Sequence, residues 1–191
     1  MSTVVGLKTN KGIWIGCDSR ASTEDGDVRP IVAEKVFDNG QYLIGFIGSV
    51  RGGQIVRPEY FKPPKRVYDW PDALIKQCEE KHCLGAGEQQ TAIMLCNYVI
   101  GDKRTGKLYE ILVDFQMNEV EEMTSIGSGS NFAFGSLYST RELNINGEDR
   151  VMLALETARF FDAATGGPLK VKKLEKEKVA LPKAKSTKGE L

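Results

Sequence analysis

The chain has 191 residues, enough for one well-packed domain, whereas two domains of half that length would each be short of core. Apolar residues make up 41% and charged residues 27%, a balance typical of a globular protein that excludes a disordered or membrane chain. Lysine plus arginine equals aspartate plus glutamate at 26 each, so no overall charge favours nucleic acid or anionic lipid as a partner. No stretch approaches the roughly 20 apolar residues of a membrane span, and the N-terminus lacks a secretory pattern, so we expect a cytoplasmic protein.

The first part of the chain is predicted to form two β-hairpins. Thr3–Thr9 and Ile13–Cys17 are rich in apolar and β-branched residues and flank a polar turn. Two further short strands are expected within Val36–Gly48, on either side of an Asn-Gly pair at 39–40 that suits a type I′ turn. The stretch 51–68 contains three prolines and two glycines, so it is predicted to be a loop or a broken helix.

The remainder of the chain contains both helical and extended patterns. An amphipathic helix is predicted to begin after a cap at Asp69, with Pro71 in its first turn and Gly85 at its end. Further strands are predicted at Thr91–Ile100, Lys107–Asp114, Asn118–Ile126 and Pro168–Leu174, and further helices at Asn131–Thr140 and Glu148–Ala163.

The order of these elements indicates the fold class. Strands, helices, strands and helices follow one another through hairpins, which predicts an α+β fold with antiparallel sheets and not alternating βα units. A four-layer αββα sandwich of two antiparallel sheets fits this order. Residues 1–175 are predicted to form this single domain, and residues 176–191, rich in lysine and poor in apolar side chains, to form a flexible C-terminal tail.

Four cysteines are present, and their spacing contains no CxxC pair. Cys17 and Cys96 lie within apolar runs, where a thiol behaves as a small apolar group, so we expect reduced cysteines. Cys78, His82 and Cys83 are close enough in sequence for a metal site, but a structural zinc requires four ligands and His82 is the only histidine. Neither a metal nor another cofactor is therefore predicted.

A serine directly after the initiator methionine offers a different chemistry. A small second residue is what methionine removal generally requires, so the mature chain is expected to begin with the free amine of Ser2. An α-amine titrates near 7.7–8.0, so part of it is neutral at pH 7 and can accept the proton of its own hydroxyl. This step needs no histidine, whereas a Ser-His-Asp triad would depend on His82. Because Met-Ser begins many unrelated proteins, Ser2 needs supporting residues.

Supporting residues occur in five groups that follow one another along the chain. They are Thr3–Lys8 with Gly12–Ser22 (TVVGLK and GIWIGCDSRAS), Glu34–Phe37 (EKVF), Gly45–Ser49 (GFIGS), Gly127–Gly135 (GSGSNFAFG) and Asp162–Gly167 (DAATGG). This ordered set resembles the proteasome β-subunits and the bacterial HslV peptidase, which are N-terminal nucleophile (Ntn) hydrolases. The resemblance covers residues 2 to about 174, with Ser2 where the family has threonine, and it implies the Ntn hydrolase fold. No propeptide is expected, as in members of the family that mature by methionine removal alone.

The resemblance implies a catalytic group around Ser2. Lys35 would be a fixed positive charge beside the nucleophile, disfavouring protonation of the Ser2 amine and stabilising negative charge on its Oγ. Asp18 would hold that lysine in its charged form. The alternative for Asp18 is a structural role in a surface ion pair with Arg20 at a strand end, which would contribute little to the stability of the fold.

A second implied group is Ser128, Asp162 and Thr165, which in the family orient the terminal amine and an ordered water. Asp162 lies near the C-terminal end of its predicted helix, where the macrodipole disfavours an anion. A carboxylate at this position is therefore better explained by a functional role than by helix stability. The glycines around Ser128 also suit a tight strand-to-helix turn. Phosphate binding has little support, because Phe132 stands where a GxGxxG motif has its third glycine.

The resemblance also implies where substrate binds. Gly48 would donate its backbone N–H to the oxyanion of the tetrahedral intermediate. Ala21, Ser22, Phe46 and Ile47 would line the substrate pocket, with Phe46 at its base. A shallow apolar pocket of this kind favours small or medium uncharged side chains.

The function implied is that of a proteasome-like peptidase subunit. Its partners would be further copies of the chain in stacked rings, an unfolded protein or peptide substrate, and an ATPase unfoldase. Serine in place of threonine should slow the reaction, and the Pro-rich stretch 51–68 is expected to replace the compact helix of the family. Two alternatives remain open: a catalytically silent ring-forming subunit, and a small-molecule amidase on the same fold.

Overall fold

A computed structural model of the chain describes residues 2–22, 28–29, 34–87 and 92–175. The strands are β1 (Thr3–Thr9), β2 (Gly12–Cys17), β3 (Ala21–Ser22), β4 (Val28–Arg29), β5 (Val36–Asp38), β6 (Tyr42–Gly48), β7 (Leu84–Ala86), β8 (Ala92–Met94), β9 (Cys96–Asp102), β10 (Lys107–Ile111), β11 (Met117–Val120), β12 (Met123–Gly127) and β13 (Lys170–Leu174). The helices are α1 (Val50–Ile55), α2 (Trp70–Glu80), α3 (Ser130–Ser139) and α4 (Gly147–Phe161), and a 3₁₀ turn spans Val67–Asp69.

Two antiparallel sheets dominate the described part of the chain. The first sheet has the strand order β12-β1-β2-β13, and the second has the order β11-β10-β9-β6-β5. In the first sheet, Thr3 lies opposite Gly127 on β12, and Val4 lies opposite Cys17 on β2. The N-terminal end of β1 is therefore held between the ends of two neighbouring strands.

Three apolar layers hold the sheets and helices together. Because side chains alternate along a strand, β1 directs Val4 between the two sheets and Val5 towards α3 and α4. The second sheet does the same: Leu43 packs between the sheets, and Ile44 packs against the layer containing α1 and α2. The predicted α+β class and the four-layer αββα sandwich of two antiparallel sheets are confirmed.

A short helix, α1, directly follows β6, where the sequence predicted that the family's compact helix would be replaced. Two glycines explain its close approach to the second sheet. A Cβ on Gly53 would lie 1.9 Å from Phe46 Cζ, and a Cβ on Gly52 would lie 2.3 Å from Cys96 Sγ. The prolines of this stretch all follow the helix. The stretch 51–68, predicted to be a loop or a broken helix, therefore begins with a short helix and continues without regular structure to the 3₁₀ turn at Val67–Asp69.

The turn between β5 and β6 differs from the predicted type I′ turn. Only Gly40 of the Asn-Gly pair has a positive φ, at 93°, whereas a type I′ turn needs two such residues. The Asn39 side chain instead accepts the backbone N–H of Tyr42 at 3.0 Å. The predicted strand 118–126 is also divided, because β11 belongs to the second sheet and β12 to the first.

Helix α2 begins after Asp69 as predicted, with Pro71 in its first turn, but the Asp69 side chain accepts from Arg66 and makes no capping hydrogen bond. The helix also ends before the predicted Gly85. His82 adopts a φ of 51°, a conformation that terminates a helix. The backbone N–H of Cys83 then returns to the Cys78 carbonyl at 2.8 Å. The hydrogen bond across this turn accounts for the early end of the helix.

Other predictions fall partly outside the described residues. The proposed tail, 176–191, lies outside them, as does Thr91 at the start of a predicted strand. Among the described residues, no helix is long and apolar enough to cross a membrane.

Candidate active site

Ser2 stands immediately before β1, and its hydroxyl meets a lysine. Lys35 Nζ donates a hydrogen bond to Ser2 Oγ at 2.5 Å, and the two residues are only 4% and 6% exposed. Lys35 is held at the start of β5 because its carbonyl accepts the backbone N–H of Phe46 at 3.0 Å. The structure thus brings a cation to the predicted nucleophile from the other sheet.

Asp18 follows β2 and is fully buried beside Lys35. Its Oδ1 lies 3.3 Å from Lys35 Nζ and accepts the Thr3 backbone N–H at 3.0 Å. Its Oδ2 accepts the backbone N–H groups of Arg20 and Gly166, at 3.1 and 3.2 Å. A carboxylate out of water requires such partners, and three N–H groups together with a cation supply them.

Lys35 has a third partner besides Ser2 and Asp18. Its Nζ donates to the Arg20 carbonyl at 2.5 Å. The three donors of a protonated ammonium therefore have a hydroxyl, a carboxylate and a carbonyl as acceptors.

Ser128 lies beside Ser2 because the chain turns sharply at the end of β12. Gly127 has a φ of +112°, and a Cβ there would lie 1.9 Å from the Ser2 carbonyl oxygen, so only glycine fits. The backbone N–H of Ser128 then donates to that same carbonyl at 3.2 Å. The turn holds the backbone of Ser2 in place.

Asp162 lies just after α4 and accepts hydrogen bonds from two hydroxyl groups. Ser128 Oγ and Thr165 Oγ1 each donate to Asp162 Oδ2 at 2.6 Å, and the Ala164 N–H donates to Oδ1 at 3.1 Å. Partial burial acts to raise the pKa of this carboxyl, but the three hydrogen bonds favour its ionised form and hold its pKa below the usual value. These bonds offset the unfavourable position at a helix C-terminus.

Gly48 ends β6, the strand that pairs with β5 and so lies next to Lys35. It is exposed and has a φ of +102°, and a Cβ there would lie 2.4 Å from the Leu95 carbonyl oxygen. A side chain would therefore displace this strand end. The position requires glycine because of its positive φ and the close approach of the Leu95 carbonyl.

The four predicted pocket residues do not share one face. Phe46 is 2% exposed and packs against Phe37 and beneath α1, in the layer that contains α1 and α2. Ile47 points the other way, into the core between the sheets. Ala21 is half-buried on β3, and the Ser22 side chain lies outside the described residues. Phe46 and Ile47 are therefore core residues on opposite faces of β6.

Two residues around the site were not predicted. Arg20 approaches the loop after α4, where its guanidinium donates to the Ala163 carbonyl and covers Gly166. Thr3 is fully buried, and its Oγ1 lies 2.6 Å from Thr165 Oγ1. Arg20 lies inside a segment that carries the resemblance, whereas no sequence pattern connects Thr3 with a residue 162 positions away.

A thiol next to the site offers no competing nucleophile. Burial, together with the neighbouring Asp18, raises the pKa of Cys17 to about 12, so this side chain stays a thiol near neutral pH. All four cysteines are buried, and none forms a disulfide bond. Within the described ranges, no group of three or more His, Cys, Asp or Glu side chains is placed to hold a metal ion.

Comparison with known proteins supports the fold. No family model matches the chain. The structure of BPH from Thiobacillus denitrificans has 20% sequence identity and a TM-score of 0.78, over 92% of this chain and 98% of that chain. BPH in complex with epoxomicin gives 21% identity and a TM-score of 0.78, over 92% and 100%. Eukaryotic HslV from Trypanosoma brucei gives 19% identity and a TM-score of 0.68, over 91% and 99%. The chain therefore has the proteasome-like and HslV-like Ntn hydrolase fold that its motifs implied.

Proposed function

We propose that the chain is a proteasome-like peptidase subunit that hydrolyses peptide bonds with Ser2 as its N-terminal nucleophile. The observation that carries this proposal is the buried hydrogen bond of 2.5 Å from Lys35 Nζ to Ser2 Oγ. Burying a lysine charge is costly even beside a carboxylate partner, and buried charges of this kind cluster at functional sites. Stabilising a developing alkoxide is a functional use for such a charge.

The proposed reaction begins after removal of Met1, when Ser2 has a free α-amine. This amine accepts the hydroxyl proton while Oγ attacks the carbonyl carbon of the scissile peptide bond. The tetrahedral intermediate collapses with transfer of the proton to the leaving nitrogen, which leaves an ester on Oγ. Water then hydrolyses the ester, with the same amine as its base, and releases the acid product.

Two groups of residues would assist these steps. Lys35, paired with Asp18, would disfavour protonation of the nearby amine and stabilise negative charge on Oγ. Asp162, with Ser128 and Thr165, orients the amine and a water molecule. The positioning is supported by the hydrogen bond from the Ser128 N–H to the Ser2 carbonyl.

Substrate recognition is proposed to involve the exposed end of β6. Gly48 donates its N–H to the oxyanion, a type of contact that contributes about 3 kcal/mol to transition-state stabilisation in other enzymes. Ala21 would form the wall of a shallow apolar pocket, and Phe46, which is buried beneath α1, would support the base of that pocket from below. Small or medium uncharged side chains are then preferred next to the cleaved bond.

The assembly follows from the same proposal. We expect copies of the chain to form stacked rings in the cytoplasm, to degrade unfolded protein or peptides, and to work with an ATPase unfoldase. A closed ring with inward-facing sites restricts access to unfolded chains, whereas an amidase would act as an open monomer or dimer. Size measurement in solution therefore separates these two functions.

The test uses intact-mass analysis of the full chain after Met1 removal. A peptide epoxyketone, the chemical class of the epoxomicin bound to BPH, requires both a hydroxyl and a free amine. We expect one adduct per chain, lost in the Ser2→Ala variant, together with hydrolysis of a fluorogenic peptide. A ring without adduct or hydrolysis would identify a silent structural subunit, and an adduct retained by Ser2→Ala would place the nucleophile elsewhere.

A further inference from the structure

Thr3 is a fully buried polar residue directly after the proposed nucleophile. Buried hydroxyl groups require hydrogen-bond partners, because leaving one unpaired is costly. The partners of Thr3 come from three separate parts of the chain. They lie at the end of β2, in the turn before α3 and in the loop after α4.

The contacts of Thr3 involve both its backbone and its side chain. Its backbone N–H donates to Asp18 Oδ1 at 3.0 Å. Its Oγ1 accepts the Gly129 N–H at 3.1 Å and lies 2.6 Å from Thr165 Oγ1. Thr3 thus contacts the carboxylate that faces Lys35 and also the group that contains Asp162.

The direction of the hydroxyl contact follows from the number of protons available. Thr165 has one hydroxyl proton, and it donates this proton to Asp162 Oδ2 at 2.6 Å. An ionised carboxylate can only accept, so that proton is committed. The hydroxyl of Thr3 must therefore donate to Thr165 Oγ1. The result is an ordered chain from the Gly129 N–H through Thr3 and Thr165 to Asp162.

We propose that Thr3 is a positioning residue of the reaction, whose hydroxyl sets the orientation of Thr165 and, through it, of the Asp162 group. This inference rests on the proposed function, because it concerns the same site. Hydrogen bonds in such a chain polarise one another, so the loss of the first hydroxyl weakens the direction of the next. Thr165 would then be able to turn away from Asp162.

The competing explanation is that Thr3 only fills space in the first sheet. Threonine is common in strands, and its methyl group packs well there. Under that explanation, the shape and volume of the side chain determine how much activity a substitution at Thr3 removes. If Thr3 is a positioning residue, the presence of the hydroxyl determines the loss of activity. Variants that differ only by the hydroxyl separate the two.

The experiment compares two matched pairs in the full chain: threonine with Thr3→Val, and Thr3→Ser with Thr3→Ala. Each pair differs mainly by a hydroxyl at nearly constant shape. We expect Thr3→Val to lower kcat about 10- to 100-fold with KM within about twofold, because the ground-state contacts to substrate are unchanged. Thr3→Ser should restore kcat to within about threefold of the parent. If Thr3→Val does not fold, the Ser and Ala pair gives the same comparison.

The outcomes distinguish this inference from the proposed function. A parent chain that neither hydrolyses peptide nor forms an epoxyketone adduct overturns both. An active parent with an equally active Thr3→Val variant overturns only the role of Thr3. Equal losses in Thr3→Ser and Thr3→Ala would also overturn it, because volume and not the hydroxyl would then matter. In a double-mutant cycle, Thr3→Val should add little to the loss in Thr165→Val, whereas additive losses would contradict action through Thr165.

Discussion

The two charged groups beside Ser2 are built in different ways. Asp18 and Lys35 are buried almost completely and form an ion pair whose carboxylate also accepts three backbone N–H groups. Asp162 is half-buried and is surrounded by the neutral hydroxyls of Ser128 and Thr165. The first group fixes a charge, and the second fixes directions of hydrogen bonding.

This difference indicates that the two groups have different roles in the proposed reaction. A buried cation acts strongly on a nearby oxygen because little water screens it. Hydroxyl groups carry no net charge, but each has a single proton that must point one way. Substitutions in the ionic group should therefore cost more activity than substitutions in the hydroxyl group.

Removing the lysine should have the largest effect. Lys35→Met is expected to lower kcat/KM by about 10³-fold or more, because the alkoxide loses its cation. It should also lower the free energy of unfolding by about 3–5 kcal/mol, because Asp18 is left buried without its cation. Peptide hydrolysis and urea unfolding measure the two effects. Lys107→Met, which breaks an exposed pair of 2.8 Å with Glu119, is the control and should change neither by much.

Blocking the end of β6 tests whether an oxyanion site assists the ionic group. Gly48→Ala should lower kcat by about 10²- to 10³-fold, because the new Cβ would meet the Leu95 carbonyl and displace the N–H donor. Gly40→Ala is a matched control, with a similar positive φ of 93° and no atom within 4 Å of the new Cβ. It should be strained but active. Equal activity losses in both variants would contradict the oxyanion role.

The hydroxyl group should show a smaller effect and a characteristic pH dependence. Hydrogen bonds from Ser128, Thr165 and the Ala164 N–H outweigh burial and keep the pKa of Asp162 below normal. The contribution of Asp162 to the free energy of unfolding is therefore fully present above the unfolded-state pKa of about 3.9. It is lost as the pH falls through the lower folded-state pKa. Asp162→Asn should lower kcat about 10- to 100-fold at pH 7.

The pH dependence of the free energy of unfolding checks this assignment. Ser128→Ala removes one donor, so the pKa of Asp162 should rise and the loss of stability on acidification should begin at higher pH. An unchanged acid limb of the stability curve in this variant would mean that Asp162 does not control it.

The smallest effect is expected where both groups remain intact. Ser2→Thr adds a methyl group that restricts χ1 and leaves the hydroxyl and amine unchanged. We expect kcat to rise by about twofold to tenfold, measured with the same peptide after Met1 removal has been verified by mass. A loss of activity would show that the site has adapted to serine.

Sequence patterns predicted the strands well because local alternation and turn residues agree with the tertiary structure. The first hairpin and the helices α3 and α4 lie within a few residues of their predicted positions. For the stretch that contains helix α1, glycines and prolines left the prediction open between a loop and a broken helix. Gly52 and Gly53 are needed there by packing against Cys96 and Phe46, which a local pattern does not reveal.

The site was predictable only through the resemblance of ordered motifs. Those motifs named Asp18, Lys35 and Asp162; Asp18 contacts Thr3 and Lys35 at the N-terminal end of β1, and Asp162 is linked to Thr3 through Thr165. Thr3 and Arg20 were missed because their roles depend on contacts with the loop after α4. Such contacts form only when distant segments fold together.

The central claim is that Ser2 provides both the nucleophile and the base. The most direct test compares two forms released from a cleavable fusion, one beginning at Ser2 and one with a single glycine before it. Both retain the hydroxyl, Lys35 and Asp162, but only the first has the amine next to Oγ. We predict that the added glycine lowers the rate of peptide hydrolysis at least about 100-fold. Equal rates in the two forms would contradict the account.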